Sequence, residues 1–388
     1  MPILVLNVGS SSLKAALFDG EARRSAAVDR IGKTGSKLSL TRDARKEEHA
    51  SKAKDAMGAL DEVLASLGVG LEDLEAVGHR LVHGGPKHLA PCLLTKGVLA
   101  DLEQLAPVDP EHLPAELAIV RAIAKRAPRL VQSASFDTAF HRTLPRVAKV
   151  LPIPAKYEHR GIHRYGFHGL SYTYLVGELA RIAGDDAADG RLVLAHLGSG
   201  ASLAAVHRRE SVDTTMGFTP TAGIPMGTRT GDLDPGLMLH LLRNEKMSIT
   251  QLDRLVNHEA GLLGISGTSA DMRDLVDARA KDARAADAVA LFAYAVRKTI
   301  GAYAAVLGGI DTIVFSGGIG ERSPAVRADV GTGLAWLGAV LDEDANARNE
   351  GVVSTATSKV TIRVIPTDEE SVILRETRDI LAELKGTR

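Results

Sequence analysis

The chain has 388 residues, with 47 Lys and Arg against 48 Asp and Glu and 45% hydrophobic residues. That is ordinary globular composition with enough length for two domains, and the balanced charge offers no general attraction to nucleic acid or an anionic membrane. The lone cysteine, Cys92, excludes an intrachain disulfide and a thiolate metal cluster; without a leader-like start or an 18-residue apolar run, the expectation is a cytoplasmic protein.

In chain order, residues 3–7 and 13–18 read as paired strands, followed by extended segments near 26–31 and 37–42. A helix is expected over about 49–67, on the helical spacing of Leu60, Val63, Leu64 and Leu67. A strand at 76–82, a helix at about 114–126 and a strand at 130–136 complete the first half. The pattern then restarts: 192–197 pairs with 202–206, and helices follow near 237–243 and 285–307. A strand at 312–315 ends in Ser316-Gly-Gly-Ile-Gly-Glu321. The last strand, 361–365, precedes a helix at about 369–384 introduced by Thr367-Asp368. The charge runs at 46–49 and 279–284 read as solvated helix faces or loops. This alternation predicts an α/β fold of two domains, 1–145 completed by the last helix (about 369–388) and 146–368, with a ligand cleft between them.

Two glycine turns half a chain apart have the same surroundings. In the first, Asn7-Val-Gly9-Ser10-Ser11-Ser12-Leu-Lys14 leads into Ala15-Ala16; in the second, His196-Leu197-Gly198-Ser199-Gly200 leads into Ala204-Ala205. Without gaps, Gly9 meets Gly198 and Ser10 meets Ser199. Each reads as a β-hairpin with a small, donor-rich tip, suited to close approach of a phosphate. The repeat points to a duplicated fold gripping one polyphosphate from both sides. Neither turn is a Walker loop or a Gly-x-Gly-x-x-Gly unit.

Arg80 and Arg229 sit beside glycine turns, where planar guanidinium groups clamp carboxylate or phosphoryl oxygens. His79 and His83 have i,i+4 spacing, but the glycines around them argue for strand and loop rather than a zinc helix. Asp137 follows an apolar strand and should stand at its mouth. Glu369 and Glu370 lie where a helix begins; Thr367 or Asp368 caps it in the structural reading, with Glu370 favoured by the dipole. Mg²⁺ carried by ATP needs only one or two protein oxygens, and Glu369 with Asn7 would suffice.

At this point Asn7-Val-Gly-Ser-Ser-Ser-Leu-Lys14, Gly78-His-Arg-Leu-Val-His-Gly-Gly85, Phe136-Asp-Thr-Ala-Phe-His141, Tyr165-Gly-Phe-His-Gly169, Met216-Gly-Phe-Thr-Pro220, Met226-Gly-Thr-Arg229 and Gly318-Ile-Gly-Glu321 form an ordered set. Together they resemble the acetate kinases over essentially the whole chain. The resemblance implies the acetate and sugar kinase, Hsc70 and actin superfamily fold, two duplicated α/β domains around a cleft. It also implies a homodimer and the reaction ATP + acetate ⇌ ADP + acetyl phosphate, with Mg²⁺ or, in its place, Mn²⁺.

By the same resemblance, Asn7 and Glu369 support the metal, and Ser10, Ser12 and Lys14 face the phosphates. His196, Leu197, Gly198, Ser199 and Gly200, with Gly318, Ile319, Gly320, Glu321 and Arg322, line the nucleotide; Asp271, Met272 and Arg273 lie beside the adenosine. Arg80 and Arg229 hold the carboxylate and the migrating phosphoryl group, Asp137 orients Arg80 or the substrate, and His168 stabilises the equatorial oxygens. Val82, Val108, Phe167 and Pro220 form the apolar cup for the acyl methyl. Three positions depart from the family: Ser199 and Arg322 stand where Asn is usual, and Asp109 stands where Ala-Pro-Leu-His-x-Pro places histidine, with His112 three residues on. The alternatives are a propionate or butyrate kinase, or a nucleotide-dependent, non-enzymatic binding protein of the same superfamily.

Overall fold

The computed structural model describes residues 1–9, 11–42 and 45–386. Ser10, expected to face phosphate, lies outside the described residues. The chain divides into two compact units, one of Met1–Ala139 with Asp368–Arg388 and one of Phe140–Thr367.

The first unit is built on strands β1 (Ile3–Val8), β2 (Ser12–Asp19), β3 (Ala22–Asp29), β4 (Lys37–Arg42), β5 (Arg45–Ala50), β6 (Ala76–Leu81), β7 (Cys92–Leu93) and β8 (Val131–Phe136), in sheet order β5-β4-β3-β2-β1-β6-β8-β7. β1, β2 and β3 pair antiparallel, while β6 and β8 run parallel to β1. The second unit holds β9 (Arg191–Leu197), β10 (Ala201–His207), β11 (Glu210–Thr214), β12 (Thr312–Ser316) and β13 (Thr361–Val364), in order β11-β10-β9-β12-β13. Directions repeat as well: β10 lies antiparallel to β9 and β11, and β12 lies parallel to β9 and β13. The run β3-β2-β1-β6-β8 is thus reproduced strand for strand, as the two similar hairpins predict.

Each sheet is covered by helices whose apolar stripes are buried. In the first unit, Leu60, Val63, Leu64 and Leu67 of helix Ala56–Leu67 join Leu4, Leu6, Val77, Ile119 and Ile123 in one core. This helix starts later than the 49–67 expectation. Asp55 accepts a hydrogen bond from the Gly58 N–H at 2.8 Å and caps it. The charge run 46–49 belongs instead to β5, an exposed edge strand that among the described residues pairs only with β4, where charged side chains oppose further pairing. In the second unit, Leu175, Leu179, Leu192, Leu194, Ala204 and Val314 form a core. Helix Ala283–Leu307 is long and apolar enough to cross a membrane by length and composition, yet its stripe of Phe292, Val296, Ile300 and Tyr303 is buried in the protein.

The last helix, Glu369–Gly386, belongs to the first unit. Its Thr377 hydroxyl bonds Ser133 on β8 at 2.8 Å. Gly78 on β6 admits it closely: a Cβ there would lie 2.3 Å from the Thr377 Oγ1.

Candidate active site

In the first unit, strand register places the polar side chains. Asn7 on β1 lies opposite Lys14 on β2 and opposite Arg80 on β6, and Arg80 lies opposite Ser135 on β8. Lys14, Asn7, Arg80 and Ser135 therefore form one row across four adjacent strands. Asp137 lies two residues beyond Ser135, and alternation along the chain returns it to the same face. Its N–H bonds the Leu81 carbonyl at 3.1 Å, carrying the pairing one residue past β8.

Arg80 is gripped from two sides. Its Nε donates to Asp137 Oδ1 at 3.1 Å and its Nη2 to Oδ2 at 2.7 Å, a bidentate pair. Its Nη1 donates to the Asn7 Oδ1 at 3.2 Å. Glu116, which the sequence reading did not select, completes the setting from helix Leu113–Arg126. It is buried, its Oε2 accepts from the Val82 N–H at 3.0 Å, and its Oε1 lies 3.9 Å from Arg80 Nη1. Burial, reinforced by the charges of Asp109 and Asp137, pushes the Glu116 carboxyl up to about 8 against the pull of Arg80 and the Val82 N–H. The sequence signal was present: an acid in a buried stripe with Leu113, Leu117 and Val120.

Asp109 does not stand alone as an acid beside an anion site. It is buried and its Oδ1 is 3.0 Å from His112 Nδ1. His112-Leu113-Pro114 itself reproduces a His-x-Pro run three residues late. His79 bonds Gln132 at 2.8 Å, and burial lowers it to about 4. His83 accepts from the Gly85 N–H at 2.8 Å, so the two imidazoles make separate local bonds.

Glu369 opens the last helix between Asp368 and Glu370. Arg23 on β3 bonds both flanking carboxylates, Asp368 at 2.7 Å and Glu370, and Asp368 also caps the helix through the Ser371 N–H at 3.3 Å. Burial, then the Asp137 charge, pushes Glu369 up to about 7 despite Arg80 and Lys14. Among the described residues, no three His, Cys, Asp or Glu side chains gather as a metal cluster. Val82 is buried and Val108 half-buried in the turn before Asp109.

The second unit carries its own polar group at the β9-β10 tip. His168 begins helix Gly169–Ala183 in a left-handed conformation, φ 58°. A Cβ on Gly200 would lie 3.4 Å from His168 Nε2 and 3.8 Å from Arg229 Nη1, so both groups converge on the hairpin tip. Arg229 is steadied by the Pro220 carbonyl at 3.4 Å. The ring of His168 stacks on His196 at 4.3 Å. Phe167 is buried, and His141 Nε2 lies 3.0 Å from its carbonyl, fixing the turn before His168.

The remaining nucleotide candidates gather in part. The Gly227 N–H donates to Ser199 at 3.0 Å, and a Cβ on Gly198 would sit 3.9 Å from the Gly318 nitrogen. Residues 317–322 form a short helix, Gly317–Arg322, rather than a plain turn. Gly318 and Arg322 are exposed and Ile319 half-buried, whereas Glu321 is turned inward and accepts from the N–H groups of Gly317 at 2.9 Å and Thr367 at 3.2 Å. Gly320 is held from below by the buried Arg327, whose Nη1 donates to its carbonyl at 2.8 Å. Leu197 and Met272 send their side chains into the core. Asp271 caps helix Met272–Ala278 and pairs with Arg273 at 2.6 Å.

Two α/β units with the same strand order, each with a hairpin between its first two strands, define the acetate and sugar kinase, Hsc70 and actin fold. The chain belongs to the acetokinase family, whose model matches residues 2–375, and it is a phosphotransferase with a carboxyl acceptor. Acetate kinase of Clostridium botulinum is 43% identical over 397 residues, covering 99% of this chain and 100% of its own length. The crystal structure of Porphyromonas gingivalis acetate kinase is similar with a TM-score of 0.89 at 38% identity, over 98% of this chain and 99% of that one. A propionate kinase from Francisella tularensis is similar with a TM-score of 0.89 at 33% identity, over 97% and 98%.

Proposed function

We propose that this chain transfers the γ-phosphoryl group of ATP to a short-chain carboxylate, acetate first, and runs the reverse reaction from the acyl phosphate. A carboxylate oxygen forms the new O–P bond as the bond to the β,γ-bridging oxygen breaks and ADP leaves. The acceptor is already ionised, so no general base is required; positioning and neutralisation of charge carry the catalysis.

In this reading Arg80, oriented by Asp137, receives the carboxylate, with Val82 and Val108 against the acyl chain. Arg229 and His168 receive the phosphoryl oxygens. Lys14 and Ser12 face the phosphates. The segments at 196–200 and 318–322 take the nucleotide, and Asp271 and Arg273 flank its adenosine. Asn7 and Glu369 offer the oxygen ligands that Mg²⁺ prefers. The raised Glu369 supports this fit, because a divalent cation is what its surplus of neighbouring acid lacks. Bound there, Mg²⁺ would neutralise phosphate charge.

The observation that carries the proposal is the bidentate Arg80–Asp137 pair beside Asn7. A hydroxamate assay for acyl phosphate with C2–C4 acids tests it; acid-independent ATP hydrolysis would sink it in favour of a binding protein. Propionate is the second reading, favoured by Val108 at the Leu position of the Ala-Pro-Leu-His-x-Pro pattern. We also infer a cytoplasmic homodimer from the family. Exposed Leu291, Tyr294 and Trp336 in the second unit support that state, and sedimentation equilibrium tests it.

A further inference from the structure

The buried polar chain behind His168 has only one consistent direction. His168 Nδ1 lies 2.9 Å from the Ser202 Oγ, and the same Oγ lies 2.5 Å from the Tyr172 hydroxyl. Tyr172 and Ser202 are both fully buried. A hydroxyl carries one proton and must place it when no water is near. Among the described residues, the Ser202 Oγ is the hydrogen-bond partner of the Tyr172 hydroxyl. The Tyr172 proton therefore goes to Ser202, and the Ser202 proton goes to His168 Nδ1. The opposite order, with Nδ1–H donating to Ser202 and Ser202 to Tyr172, strands the phenol proton in the core. An unplaced buried donor is costly enough to decide between two tautomers.

We propose that Tyr172, acting through Ser202, is a positioning residue that fixes the neutral His168 ring with its proton on Nε2, the nitrogen aimed at the Gly200 tip beside Arg229. The role of one histidine nitrogen is set by the bond the other makes. Here the bond makes Nε2 a donor to an anionic oxygen without an added proton. Arg229 at the tip and His196 stacked on the ring face are among the charged and titratable groups around it. The inference rests on His168 meeting the phosphoryl group only for its effect on rate; the tautomer stands on the hydrogen bonds alone.

The test is ¹⁵N NMR of the full chain labelled at histidine, with the His168 signals assigned by their loss in His168→Gln. The expected result is a hydrogen-bearing Nε2 and a lone-pair Nδ1. Tyr172→Phe keeps the ring that packs 5.7 Å from both Phe140 and His141, so it should fold. It should nevertheless mix the tautomers and lower kcat about tenfold, with KM for ATP and for the acid within twofold. Ser202→Ala should do the same. A proton found on Nδ1, or tautomers unmoved in both variants, overturns the proposal. A His168→Ala variant with full kcat would instead remove the catalytic reading of His168 and leave the tautomer result intact.

Discussion

Glu116 faces Arg80 at 3.9 Å with an Oε1 that accepts no hydrogen bond. A buried carboxyl so placed is a latent negative charge directly behind the proposed carboxylate clamp. With its pKa raised from 4.5 to about 8, the folded state binds more protons than the unfolded chain between those values. Its contribution to stability is full below about pH 4.5 and is lost as pH rises toward 8. The slope is about 1.4 kcal/mol per pH unit for a full proton. Glu116→Gln should abolish it: urea midpoints of the variant, relative to wild type, should climb steadily from pH 5 to pH 8. A constant difference would show that Glu116 is ionised in the fold.

Removing either clamp should be severe. Arg80→Ala and Arg229→Ala are expected to lower kcat by about two decades or more, since loss of one charge-stabilising group at a transition state costs about 3–4 kcal/mol. Arg80→Lys should rescue little, because an ammonium cannot answer Asp137 bidentately. Near wild-type turnover by folded variants in the hydroxamate assay would contradict the assignment.

Glu369→Gln keeps the shape of the helix start and removes the charge. Half-saturating Mg²⁺ should rise about tenfold or more, while the thermal midpoint moves little because Arg23 still holds Asp368 and Glu370. A large fall in midpoint with unaltered Mg²⁺ dependence would make Glu369 a helix-start residue only.

Val108 sets a prediction about substrate length. Val108→Leu adds about one methylene, worth ~1–3 kcal/mol in an apolar pocket. The kcat/KM ratio of propionate to acetate should fall by roughly tenfold. An unchanged ratio would mean that the side chain does not touch the acyl tail.

Much of the first unit's site was legible because it follows from strand register. Once residues 3–7, 13–18 and 76–82 are strands, Lys14, Asn7 and Arg80 fall into line, and the repeated hairpin announces the repeated sheet. Glu116 was only partly legible: its place in the stripe of Leu113, Leu117 and Val120 marks an inward acid, but its meeting with Arg80 depends on how a helix lies against β6. The pairing of Asp109 with His112 was likewise hidden, since an acid at a histidine position looks like a simple loss until the loop places the two side chains together. Residues 45–50 misled the helix boundary because an edge strand without an apolar face looks like a charged loop. Leu197 and Met272 show the limit of carrying a motif over whole, since within each motif some side chains point to the core.

The last helix returns to a sheet made by the opening strands, and this orders events during synthesis. β1, β2, β6 and β8 emerge from the ribosome long before Glu369, so the first unit can arrange Asn7 and Arg80 yet lack its helix-borne carboxylate. Gly78 and Ser133 wait for Thr377, and Arg23 waits for Asp368 and Glu370. A chain stopped short of residue 368 would carry the second unit entire but leave the groove over β6 and β8 bare. Completion of the proposed metal-binding pair thereby waits until residue 369 has been made.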